Sequence, residues 1–85
     1  MDLHAVLAEQ ADPDEYAKLT IPYEVGILGW PAVREAIAYG STFTDVRHHP
    51  AGGLLTRRGY VTVRGPWRAV RRFAQLWGRL ARDLG

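Results

Sequence analysis

The amino-acid sequence predicts a small α+β domain, in which a three-stranded antiparallel or mixed sheet carries helices on one face. Three observations support this class: an alternating apolar run at residues 21–27, two strand-like segments around the glycine-containing residues 50–53, and an amphipathic segment from residue 67 onward. The predicted element order is α-β-α-β-β-α. Because a chain of 85 residues supports one small hydrophobic core, residues 1–85 are expected to form a single domain.

The N-terminal region contains two helix-start signals. Residues 3–10 place apolar side chains on one face of a helix, and Asp2 precedes them as an N-cap. Asp12 is a second candidate cap, and it is followed by Pro13 at a position that suits the first turn of a helix. We therefore expect a short helix over residues 3–10 and a turn or two of helix through residues 16–19.

The middle of the chain predicts a strand followed by a helix. Residues 21–27 alternate between apolar and other side chains, which is typical of a half-buried strand, and Pro22 would place it at a sheet edge or mark its first residue. A helix is then expected from Pro31 to Tyr39, with Gly40 as a left-handed C-terminal cap.

A β-hairpin is predicted next. Residues 41–49 and 54–64 are rich in threonine, valine and aromatic side chains, and residues 50–53 (Pro-Ala-Gly-Gly) lie between them. The alternation is imperfect before Gly59, which indicates a bulge or a long flexible loop there.

The last helix is the clearest element, and Gly65 and Pro66 mark its start. Its apolar side chains fall within one sector of a helical wheel, with Ala69 beside them. These apolar residues are Val70, Phe73, Leu76, Trp77, Leu80 and Leu84. The opposite sector contains Arg68, Arg71, Arg72, Gln75, Arg79 and Arg82.

Two architectures agree with this order of elements. One is an incomplete ferredoxin-like fold, with two helices over one face of the sheet. The alternative is a winged helix, in which residues 16–19 and 31–39 form a helix-turn-helix and the hairpin is the wing. The alternating strand favours the sheet, because residues 19–30 are too long and too β-like for the tight turn of a helix-turn-helix.

The two halves of the sequence carry opposite charge. Residues 1–45 contain eight acidic and two basic side chains, whereas residues 46–85 contain nine arginines and one acid, Asp83. The formal charges are therefore −6 and +8, which give the total of +2. This asymmetry indicates an anionic partner for the second half, or charge-steered association with another protein.

The arginines of the second half are the candidate binding residues. Arginine suits planar anions such as phosphate, and like charges three or four residues apart on one helix repel each other. A helix face selected for stability alone usually mixes the two signs of charge. The alternative is a solvated face in an arginine-rich proteome, or pairing of these arginines with the acidic half of the same chain. The predicted phosphate-contacting residues are Arg57, Arg58, Arg64, Arg68, Arg71, Arg72, Arg79 and Arg82.

Other classes of site find little support in the sequence. There is no cysteine, and the adjacent His48 and His49 would point to opposite faces of a strand, so we expect no metal site and no cofactor. No nucleophile, base and acid form a recognisable triad, so we expect no catalytic residues. No signal peptide or membrane span is expected, and a cytoplasmic protein is the default.

The sequence therefore favours a small non-catalytic nucleic-acid-binding module or regulator, which binds phosphates of DNA or RNA through its C-terminal helix and hairpin. Tyr60, near Arg58 and Arg64, is a candidate for stacking on a base. The alternative is a protein-interaction, assembly or inhibitor module that binds a partner through its charge-polarised surface. A homodimer through a free sheet edge is part of that alternative.

Overall fold

The computed structural model describes residues 12–52 and 55–84, with side chains up to Arg82. Within these residues the protein is a small α+β domain with a three-stranded antiparallel sheet and two α-helices, which confirms the predicted class. The elements in chain order are β1 (Tyr16–Gly26), a 3₁₀ turn (Ile27–Gly29), α1 (Trp30–Gly40), β2 (Asp45–Gly52), β3 (Thr56–Pro66) and α2 (Trp67–Leu84). The helix predicted over residues 3–10 lies outside the described residues.

The sheet has the strand order β1-β3-β2, so that β3 is central and pairs antiparallel with both neighbours. The β1–β3 register places Tyr23 opposite Gly59, and the β2–β3 register places His48 opposite Val61. The β2–β3 register shifts between Pro50 and Gly52, in the region where the sequence predicts an irregularity near Gly59.

The predicted helix through residues 16–19 is wrong, because these residues begin β1. The alternation seen at residues 21–27 extends back into this segment, where Leu19 is buried beside Ile21. A winged helix would need a helix at this position. Pro22 lies within β1, and β1 is an edge strand, as the proline predicted.

The residues that predicted this helix instead form the cap of α2. Asp12 stabilises a turn, since its carboxylate accepts a hydrogen bond from the Asp14 N–H at 2.9 Å. The N–H groups of Trp67 and Arg68 then donate to the carbonyls of Glu15 and Pro13, at 2.8 and 3.0 Å. These contacts satisfy two N–H groups that the first turn of α2 would otherwise leave without a partner.

Both helices pack on the same side of the sheet, with α2 over β1 and β3 and α1 against β2 and α2. We call this side the covered face. The core consists of buried residues from β1, β3 and the two helices. The fully buried large side chains are Val33, Val61, Val63, Val70 and Phe73. The opposite side of the sheet, which no described helix covers, is the open face.

Gly40 has a different role from the one predicted, because it does not adopt the left-handed conformation of a helix cap. It is buried at the end of α1, and a Cβ atom there would overlap the ring of Phe73 in α2. The glycine therefore permits close approach of the two helices. Residues 41–44, predicted as strand, form a turn that leads into β2, and Pro66 is the last residue of β3.

Candidate nucleic-acid interface

The arginine side of α2 is defined by five residues that lie opposite its buried side chains. Val70, Phe73 and Trp77 are buried against the sheet and α1, as the amphipathic pattern predicts, and Ala74 is buried with them. The arginines point away from this core and are all exposed. They span about 21 Å along the helix axis, at roughly 1.5 Å per residue. The residues are Arg68, Arg71, Arg72, Arg79 and Arg82.

In the N-terminal half of α2, Arg68 and Arg72 each contact side chains from other parts of the chain. Arg68 Nη1 lies 2.8 Å from a carboxylate oxygen of Asp14. Arg72 lies over the ring of Phe43, 4.4 Å from its centroid, and donates a hydrogen bond to Tyr39 Oη at 3.1 Å. Because exposed ion pairs contribute little free energy, a phosphate can displace the Asp14 carboxylate at small cost.

The second half of the surface carries Arg79 and Arg82. Among the described residues, neither arginine forms an ion pair. Arg79 and Glu35 of α1 line opposite sides of a groove between the two helices, together with Tyr39 and Leu80. This end of α2 is therefore the part of the arginine side that is least neutralised by described acids.

The hairpin arginines do not extend the arginine side of α2. Strand alternation places Arg58 and Arg64 on the open face, because Val61 and Val63 occupy the covered face. Arg57 lies on the covered side at the rim of the sheet, 5.9 Å from the ring centroid of Trp30. The eight predicted residues therefore occupy at least two separate surfaces.

The fold also mixes the two charges that the sequence separates. On the open face, Asp45 Oδ2 lies 3.2 Å from Arg64 Nη2, and Asp45 Oδ1 lies 3.7 Å from Arg47 Nε. Glu24 is the cross-strand partner of Arg58 in the β1–β3 register. β1 and α1 come from the acidic half and pack against β2, β3 and α2 of the basic half, so part of the charge is balanced within the molecule.

The covered face holds a polar pair that the sequence analysis did not single out. Tyr23 Oη lies 2.5 Å from His48 Nε2, although Tyr23 is in β1 and His48 is in β2. The pair spans the central strand at Gly59, where a Cβ atom would lie 2.9 Å from Tyr23 Oη and 2.5 Å from the His49 carbonyl oxygen. A glycine in the middle of a predicted strand was the available signal.

Burial determines the protonation of this pair. It lowers the pKa of His48 below 6.5, with a smaller contribution from the nearby charge of His49. It also raises the pKa of Tyr23 above 10.0, while the positive charge of Arg57 acts in the opposite direction. His48 is therefore neutral at pH 7, and its Nε2 can accept a hydrogen bond from the Tyr23 hydroxyl.

The two adjacent histidines point to opposite faces, as the alternation predicts. His49 lies on the open face and stacks on Tyr60, with ring centroids 4.5 Å apart and an angle of 19° between the ring planes.

Within the described residues, no group of three or more His, Asp or Glu side chains is placed to hold a metal ion. No helix in the described part of the chain is long and apolar enough to cross a membrane.

Comparisons with models of protein families, with curated proteins and with solved structures each found no match.

Proposed function

We propose that this protein is a non-catalytic nucleic-acid-binding module, in which the arginine side of α2 contacts the phosphates of a duplex. The observation that carries the proposal is the alignment of five exposed arginines along one side of a single helix. Backbone phosphates would release condensed counterions on binding such a surface, which gives affinity without base recognition. We also propose that the strand order β1-β3-β2 represents a ferredoxin-like sheet that lacks its last strand.

The edges of the sheet favour this proposal over assembly by strand pairing. β1 and β2 are the two edge strands, and each contains a proline, Pro22 and Pro50. Proline has no N–H to donate to an added strand and is a common device that protects sheet edges. A cleft of about 340 Å³ between the end of β1 and the side chains of Trp77 and Leu80 is a candidate site for a protein partner.

The test measures binding of a generic DNA duplex as a function of salt concentration. Five phosphate contacts predict a slope of about −4.5 in log affinity against log salt, and thus a loss of about 500-fold between roughly 50 and 200 mM salt. The double variant Arg79→Gln/Arg82→Gln is expected to reduce the slope to about −2.7, with a loss of about 40-fold over the same range.

The matched control is Arg47→Gln/Arg58→Gln, which removes the same charge from the open face. It should leave the slope for the duplex close to that of the unmodified protein. Equal effects of the two double variants would show that binding follows net charge rather than the arginine side of α2. Absence of duplex binding at about 50 mM salt would overturn the proposal.

A further inference from the structure

The open face carries a row of three side chains that crosses the whole sheet. The register places Pro22 of β1, Tyr60 of β3 and His49 of β2 directly beside one another. All three are exposed, and Tyr60 retains 44% of its accessible surface. The stacked Tyr60 and His49 rings therefore present aromatic surface to the solvent from the middle of the sheet.

Two arginines flank this aromatic row. Arg58 lies two residues from Tyr60 in one direction along the strands, and Arg47 lies two residues from His49 in the other. Each is displaced from the row by about 7 Å along the strand direction. Arg47 Nε lies 3.7 Å from Asp45 Oδ1 on the side away from the row, but a long arginine side chain can reach back over this distance. A group stacked on the rings would then have a guanidinium on either side.

The described strand residues give the open face a positive balance. Their basic side chains on this face are Lys18, Arg47, Arg58 and Arg64, and their acidic side chains are Glu24 and Asp45. Asp45 forms ion pairs with Arg64 and Arg47 and lies four residue pairs away from the aromatic row. Glu24 lies closer, beside Arg58, and would repel an anion there.

We propose that the open face binds single-stranded nucleic acid, with an unpaired base stacked on the Tyr60–His49 pair and the adjacent phosphates on Arg47 and Arg58. The combination of an exposed aromatic platform with cationic groups on both sides matches the chemistry of an unpaired nucleotide, since every base has an aromatic face and each is flanked by phosphates. An acidic protein surface would need the arginines but not the exposed rings. The site is separate from the arginine side of α2, because the two surfaces face away from each other.

The experiment compares an oligothymidylate octamer with an abasic octamer that has the same number of phosphates. The unmodified protein should bind the oligothymidylate about 5- to 150-fold more tightly, the range expected for one stacked base. Tyr60→Leu should remove this preference, whereas Tyr60→Phe should retain it because the ring remains. Glu24→Gln should tighten binding of both octamers, since it removes a negative charge beside Arg58.

The charge variants separate this proposal from the one for α2. Arg47→Gln/Arg58→Gln should weaken binding of the single strand and spare the duplex, whereas Arg79→Gln/Arg82→Gln should do the reverse. Amide chemical shifts during titration of the unmodified protein provide a measurement that does not depend on any variant. Shifts at Tyr60, His49 and Thr62 are expected with oligothymidylate.

Three results would overturn the proposal. The first is equal affinity of the unmodified protein for the two octamers, which would exclude stacking. The second is a set of shift changes confined to α2. The third is binding of a polyglutamate peptide as tightly as oligothymidylate, which would assign the open face to an acidic protein surface instead.

Discussion

The covered and open faces of the sheet are built from alternate residues of the same three strands, yet the two α-helices pack on only one of these faces. On the covered face, Val61 and Val63 of the central strand are fully buried beneath the helices. On the open face, Tyr60 of the same strand is exposed and lies near arginines. One step along the chain therefore separates a residue that supports the fold from one that is available for binding.

The adjacent histidines show this difference most directly. His48 on the covered face pairs with the Tyr23 hydroxyl, and burial lowers the pKa of its ring. His49 on the open face stacks on the exposed Tyr60. Because both residues are histidines, only the alternation of side chains along β2 gives them different roles. Changes on the covered face should therefore act on stability, and changes on the open face should act on binding.

The largest expected effect on stability concerns Trp77, which lies in the interface between α2 and the covered face of the sheet. Trp77 retains 5% of its accessible surface and contacts the rings of Tyr23 and Phe73. Trp77→Ala is expected to cost about 3–5 kcal/mol through lost burial and the cavity left behind, which is enough to unfold so small a domain. Chemical denaturation followed by circular dichroism measures this loss.

The control for Trp77 lies two residues away on the exposed side of α2. Gln75→Ala should change the free energy of unfolding by no more than about 0.5 kcal/mol, since alanine is a good helix former and no packing is lost. Similar free energies of unfolding for the two variants would contradict the assignment of the buried face of α2.

The second expected effect concerns the glycine that lets the Tyr23–His48 pair span the sheet. Gly59→Ala would place a Cβ atom against Tyr23 Oη and the His49 carbonyl, so the pair must separate or the strands must shift. We expect a loss of about 1–3 kcal/mol, typical of added volume at a packed site. Urea unfolding measures the loss, and the ring resonances of His48 report separation from Tyr23.

Gly26→Ala is the matched control for Gly59→Ala. A Cβ atom at Gly26 would meet nothing within 4 Å, and its φ of −67° and ψ of 164° are accessible to alanine. Stability should remain the same or rise by roughly 0.4–1 kcal/mol. Equal destabilisation by both substitutions would indicate a general intolerance of β1 and β3 to alanine, rather than a specific requirement at Gly59.

The sequence predicted elements whose signals are local. The alternation at residues 21–27, the hairpin around residues 50–53 and the amphipathic pattern of α2 each reflect the period of one element against a core. Asp12 and Pro13 predicted the start of a nearby helix, whereas their segment forms a turn whose backbone carbonyl groups cap α2, which begins at Trp67. Composition cannot show which helix a cap serves when the two are distant in sequence.

The features that sequence reasoning missed depend on contacts between distant residues. Gly40 resembled a helix cap, whereas the reason for a glycine there is Phe73, which belongs to another helix. The division of the arginines between surfaces likewise follows from the alternation of side chains along the strands and from the strand register. Arg58 and Arg64 are separated from the arginine side of α2 by the thickness of the fold, although they are close to it in sequence.

The smallest expected effect is on the pH dependence of stability, and it concerns His48 on the covered face. Because burial holds the pKa of His48 below 6.5, the unfolded chain takes up a proton at this residue before the folded chain does. The contribution of His48 to stability is therefore fully present above about pH 6.5 and is lost as the pH falls through its folded pKa.

Substitution of each of the two histidines in turn tests this last effect. Unfolding free energies of the unmodified protein, His48→Gln and His49→Gln are determined by urea denaturation between about pH 5 and pH 8. His48→Gln should flatten the decline on the acidic side, because glutamine does not titrate and its amide oxygen can still accept from Tyr23. His49→Gln should retain most of the decline, since it removes the smaller of the two causes that lower the pKa of His48. If His49→Gln flattened the decline more than His48→Gln did, the acid sensitivity would belong to the open face, and the proposed division of roles between the two histidines would be wrong.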